Sequence, residues 1–205
     1  MEKENCLNQV IHPLSKKAEI VQWILLSISI FLVPMIIPKL LNAILGVSHP
    51  IAANSQYIVG TIVNTTLIFA AMNARGWKQI IGLITLPSIS AMGSGLIFKS
   101  ASIYTVYMIP AIWIGNFTFV YLYKKLVVEK KFNYILSSII AVLAKAGIIY
   151  AVFRVFTLTS IIPGAGKIFT ALNVSMGMNQ IITASIAAVI GLAINISLSN
   201  KKEAQ

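Results

Sequence analysis

Apolar runs of about twenty residues recur along this chain, and a run of that length is what an α-helix needs to cross the roughly 30 Å hydrocarbon core of a bilayer. Six can be counted in the 205 residues, at about 20–45, 55–72, 79–98, 103–123, 132–156 and 175–198, with polar tails over 1–19 and 199–205. Inside hydrocarbon every backbone N–H and C=O must find its partner within the protein, so such runs predict helices. The expected fold class is all-α: a polytopic membrane protein with six transmembrane helices. Composition agrees, because 58% of the residues are hydrophobic and only 10% charged, too little polar surface to coat a soluble globule. The first run follows a polar-rich stretch, is too long for a signal-peptide core and lacks a small-residue cleavage site, so it reads as a retained span.

The net charge of +11 would suggest nucleic acid in a soluble protein. Here the basic residues sit mainly in short connections between apolar runs, where they set topology instead. Six spans put both termini on one side. With that side cytoplasmic, eleven Lys and Arg lie inside and only Lys39, Lys99, Arg154 and Lys167 lie outside, with Lys145 between. The expected arrangement is N-in/C-in, multi-pass, in the cell membrane. There is no Asp, and the five glutamates, at 2, 4, 19, 129 and 203, all fall on the cytoplasmic side in this orientation. A single cysteine, Cys6, excludes an internal disulfide and a thiolate metal cluster.

Lys145 stands in the middle of the fifth run. A lysine at the centre of a span costs about 2.5–3.5 kcal/mol on insertion scales, so it is expected to face a protein interior or a wet cavity and to have a partner. Without an acidic neighbour, that partner is a backbone carbonyl, a neutral polar side chain, water, or an anion from outside. Lys145 lies about 21 Å along the helix from Lys131, in the outer half of the membrane, where an external ligand can reach it. It is read as a ligand contact, against the alternative that it only fixes helix packing. Arg154 is nine residues on, about 180° around the helix, and is read as snorkelling to the interface.

Trp113 and Asn116 share a face of the fourth run at i,i+3, and either line a pocket or hydrogen-bond between helices. Asn179 and Gln180 open the sixth run, placed to grip a ligand or to satisfy loop backbone. Pro34 and Pro38 invite a kink or an early end in the first span, and Pro87, Gly93 and Gly95 invite unwinding in the second half of the third. Lys124, Lys125, Lys130 and Lys131 are expected in a basic loop, and 157–173 in a long connection. Small residues at 184, 187, 188 and 191, and at 144, 147 and 151, mark close helix packing.

Other signals fail on inspection. Pro163-Gly-Ala-Gly-Lys167 lacks the first Gly and the closing Ser or Thr of a phosphate loop. Met92-Gly-Ser-Gly95 has no histidine in any span to serve as base. A nickel or cobalt site wants His or carboxylate, and the spans hold neither; His12 lies in the N-terminal tail. No metal and no cofactor are expected, and the chain is not expected to be an enzyme.

Six spans in about 200 residues, a long outer connection before the last one and no ATP site resemble the substrate-binding S components of energy-coupling factor (ECF) transporters. The stretches Leu86-Pro-Ser-Ile-Ser-Ala-Met-Gly-Ser-Gly95 and Met108-Ile-Pro-Ala-Ile-Trp-Ile-Gly-Asn116 are similar to those of S-component-like membrane proteins. The resemblance implies a subunit that captures a small solute, such as a vitamin or precursor, near the outer face of the lipid bilayer. It also implies a transmembrane coupling subunit and two ATPases as partners. Lys145, Trp113, Asn116, Asn179 and Gln180 are the candidate substrate-binding residues, and the excess of positive charge points to a small organic anion. The first span departs from the family in offering only Ser27 and Ser29 where a small-x-x-x-small stripe often meets the coupling subunit. The other reading is a non-transporting membrane protein, an assembly factor or sensor, whose polar residues only pack helices.

Overall fold

The computed structural model describes residues 9–11, 13–94, 102–162 and 165–203; Cys6, His12, Gly95, Lys99, Pro163 and Gly164 lie outside them. Among the described residues the chain is entirely helical, without a strand: α1 (Lys16–Leu45), α2 (Pro50–Ala53), α3 (Ser55–Asn73), α4 (Trp77–Ser94), α5 (Ser102–Leu122) continued by a π-helical stretch (Tyr123–Glu129), α6 (Tyr134–Leu158), α7 (Ala165–Met176) and α8 (Met178–Glu203). Five helical segments are long and apolar enough to cross a membrane: Lys16–Leu45, Ser55–Asn73, Val106–Glu129, Tyr134–Leu158 and Leu172–Leu198. The chain has the make-up of a multi-pass membrane protein. The expected third span corresponds to α4, which is described as far as Ser94. It is sheltered between α1 and α5, with Ile80, Leu83 and Ile84 buried.

Contacts fix the helix directions. The Trp23 indole donates to the Gln79 carbonyl at 3.3 Å and Ser90 donates to the Phe31 carbonyl, so α1 and α4 run parallel. Gly60 lies against Thr183 and Gly191 against Ile68, so α3 and α8 run parallel as well. A Cβ at Gly60 would come within 2.9 Å of Thr183, and one at Gly191 within 2.8 Å of Ile68. With Ala184, Ala187 and Ala188 buried on the same face, α8 lies against α3 through small residues, as close packing in a membrane requires. The matching stripe on α6 behaves differently: Gly147 and Ala151 are exposed and Ala144 is half-buried.

Prolines do not end helices here. α1 continues through Pro34 and Pro38 to Leu45, and α4 through Pro87 to Ser94. A proline has no N–H for the carbonyl four residues back, and its ring loosens that turn. In both helices a polar side chain from a neighbour meets the next carbonyl along: Ser90 donates to Phe31, three residues before Pro34, and Asn116 donates to Ile84, three residues before Pro87, at 3.3 Å. Re-pairing of this kind is how spanning helices tolerate proline.

Two connections also differ from expectation. The basic loop does not begin at Lys124, because the helix runs on as π-helix to Glu129, with Lys124 fully buried. The long connection contains α7, an amphipathic helix that turns half-buried Phe169 and buried Leu172 and Met176 inward at helical spacing. Its glycine-rich start drew the sequence reading towards a loop. Buried apolar residues form two clusters: a large one of α1, α3, α4, α5, α6 and α8 towards the termini, and a smaller one of Met108, Ala111, Ile149, Phe153, Ile162, Leu172 and Met176 at the other end.

Candidate functional site

Between the two clusters lies a polar layer. On α6 the buried face reads Ser137, Ser138, Ala141, Val142, Lys145, Ala146, Ile149, Phe153, and the lysine is the one charge on it. Lys145 is 2% exposed and donates to the side-chain oxygen of Asn64 on α3. Asn64 in turn donates through Nδ2 to the Thr183 hydroxyl at 3.0 Å, and Thr183 donates to the Asn179 backbone carbonyl at 2.7 Å. The Phe119 ring lies 5.0 Å from the ammonium, a distance at which its π-face attracts a cation. The lysine thus has a neutral amide and an aromatic face but no counter-ion. Among the described residues the glutamates are far off at the termini end: Glu19 pairs with Arg75 at 3.0 Å and Glu129 with Lys125 at 2.8 Å.

This layer borders a half-enclosed cavity of about 110 Å³. Val59, Val63, Pro87, Ala91 and Ile112 supply apolar wall, while Lys145, Asn64, Asn116, Asn179, Gln180 and Thr183 supply polar groups. Two bigger hollows, of about 270 and 560 Å³, lie along α6 and α8 among exposed apolar residues such as Leu143, Val189 and Met178, on the face a lipid would cover. Convergent polar groups in an apolar wall mark the smaller cavity as the candidate site.

Of the five residues singled out from sequence, the fold brings Lys145, Asn116, Asn179 and Gln180 to this one cavity. Trp113 is not among the lining residues; its indole N–H is buried without a hydrogen-bond partner among the described residues, and Ile112, four residues before Asn116 and closer to it around the helix, takes the lining position. Asn116 has both roles that were weighed for it, since it borders the cavity while its amide donates to Ile84. Gln180 likewise donates to the Ser175 carbonyl at 3.2 Å, closing the α7–α8 corner. Arg154 is exposed and stacks over Phe169 at 5.6 Å, away from the cavity.

Asn64, Ser88 and Thr183 were missed. For Asn64 a signal existed: it is an amide at mid-span in α3, as costly there as at any other intramembrane position. Single Ser and Thr residues carry no such signal, because they satisfy themselves on their own helix, as Thr65 does on Thr61 and Thr66 on Ile62, each at 2.9 Å. No cluster of three or more His, Cys, Asp or Glu able to hold a metal occurs among the described residues. Searches against family models, curated proteins and solved structures returned no match to this chain.

Proposed function

We propose that this protein is a membrane-embedded solute receptor of the S-component type, the specificity subunit of an importer, and that it takes a small organic anion into the Lys145 cavity. The observation that carries the reading is a buried lysine with one neutral hydrogen-bond acceptor, beside a half-enclosed polar cavity that no acidic side chain borders among the described residues. An anion is the one component that would neutralise it. The proposed arrangement has six crossings, α4 included, with both termini in the cytoplasm. The cavity then faces outward, a coupling subunit and two ATPases drive release inward, and the chain itself performs no covalent chemistry. Orientation is tested in a Cys6→Ser background: cysteine at Ile161 should react with an impermeant maleimide on intact cells and cysteine at Lys130 should not. The reverse pattern removes the external site.

A second reading is favoured by one feature, the Lys145, Asn64, Thr183 chain, which ties α6, α3 and α8 together as a packing device would. Titration of detergent-purified wild type and Lys145→Met with a panel of small carboxylates separates the two. An anion receptor loses affinity in the variant and keeps its stability. An assembly factor or sensor held together by this chain shows a changed melting temperature and no carboxylate binding to lose.

A further inference from the structure

Most polar groups of the cavity are already engaged with one another or with backbone. Asn179 is an exception. It is 6% exposed, it lines the cavity, and neither its Oδ1 nor its Nδ2 has a hydrogen-bond partner among the described residues. The Ser88 hydroxyl on the α4 wall, 4% exposed, is unpartnered too. Buried amides are nearly always paired, and an unpaired one needs an explanation in function. Packing does not supply it, because an apolar side chain of the same shape would stabilise this position more.

We propose, building on the reading of the cavity as an anion site, that Asn179 recognises a second group on the same solute: an amide-like edge that carries an N–H donor beside a C=O acceptor. A side-chain carboxamide presents one acceptor and one donor side by side in a plane, and the complement of that pattern is a cis-amide, as in a lactam or a 2-pyridone. Spacing supports the match. Asn179 lies four residues from Thr183, which belongs to the Lys145 layer, so the two recognition levels are about 6 Å apart along α8. That is the span from a carboxylate to the far edge of one five- or six-membered ring. The enclosed part of the cavity, about 110 Å³, is smaller than the apolar hole of about 150 Å³ that accepts benzene, so it limits the solute to one small ring, part of which lies in the open mouth. Val59, Val63, Pro87 and Ile112 are the apolar surfaces available to cover the ring faces. The substrate class is a compact cyclic carboxylate with an amide edge; flavins, folates and tetrapyrroles exceed the space.

The test uses 5-oxopyrrolidine-3-carboxylate, whose amide edge lies across the ring from the carboxylate, and cyclopentanecarboxylate, which share ring size and charge and differ in the lactam, titrated into detergent-purified full-length protein. Wild type binds the lactam acid at least roughly tenfold tighter, the effect of re-pairing two buried atoms. Asn179→Leu abolishes that ratio and melts no lower than wild type. Ser88→Ala, a smaller change, reduces the ratio part-way. Equal affinity of wild type for the two acids, with Lys145→Met weakening both, overturns the amide-edge proposal and leaves the anion site standing. A fall in melting temperature for Asn179→Leu with the ratio intact assigns Asn179 to packing and overturns it as well. Binding of neither acid at millimolar concentration overturns the anion site, and this proposal with it.

Discussion

Among the described residues two lysines are buried, Lys124 and Lys145, and they are used in opposite ways. Lys124, at the termini end, is fully enclosed, and its ammonium donates to the carbonyls of Gln9 at 2.8 Å and Ala74 at 2.7 Å. Those carbonyls belong to the N-terminal segment and to the end of α3, which are also joined by the Ile11 N–H donating to the Met72 carbonyl at 2.8 Å. Lys124 therefore staples loose backbone to the bundle. Lys145, beside Phe119 and so about one and a half helical turns from Lys124 towards the other end, meets a side-chain amide and an aromatic ring and borders open space. A cation whose hydrogen bonds go to fixed carbonyls stabilises the fold. One that has a single neutral acceptor and a cavity is suited to receive a partner from outside.

The largest expected effect is on binding at Lys145. Lys145→Met keeps length and removes charge, and should weaken carboxylate binding by roughly 2–5 kcal/mol, the range for breaking a buried hydrogen-bonded charge pair. Its melting temperature should match or exceed that of wild type. An unchanged dissociation constant would put Lys145 in the same class as Lys124 and dissolve the contrast. Next in size is Lys124→Met, which deprives two carbonyls of a charged donor and should cost about 2–4 kcal/mol of stability. It should speed proteolysis of the N-terminal segment and leave carboxylate affinity unchanged; a variant as stable as wild type would show the staple to be idle. The smallest effect belongs to the ion pair of the same end. Arg75 is 43% exposed, so Arg75→Ala should lower stability by at most about 1 kcal/mol despite the short 3.0 Å contact with Glu19. A larger loss would mean that this pair, and not Lys124, holds the termini end closed.

The prolines show where sequence reading was too local. Pro34, Pro38 and Pro87 break helix ladders in isolation, and the expectation of irregular ends follows from that alone. Ser90 and Asn116 reverse it, each donating to a carbonyl of another helix beside the loosened turn. The same cause accounts for Lys124. Its neighbours Lys125, Lys130 and Lys131 mark a polar connection, and only the π-helical continuation of α5 rotates this one residue inward under the N-terminal segment.

What the sequence determined by itself is the solvent of this fold and the depth of its charges. Apolar runs of membrane length require helices, and the lack of any Asp or Glu within them means that a lysine at mid-span finds no counter-ion on its own chain. A charge or an amide within or at the end of an apolar run is costly unless it has a role, which is why Lys145, Asn116, Asn179 and Gln180 could be named as candidates. What only the tertiary structure decided is which faces meet. A helix carries no information about its rotation relative to another. That phase is set where backbones approach closely, at Gly60 against Thr183 and Gly191 against Ile68. Those contacts bring Asn64 and Thr183 together, and the close approach of Gly115 to Ile149 sets α5 with Trp113 off the cavity, because the helices must first pack before one angle among 360° is chosen.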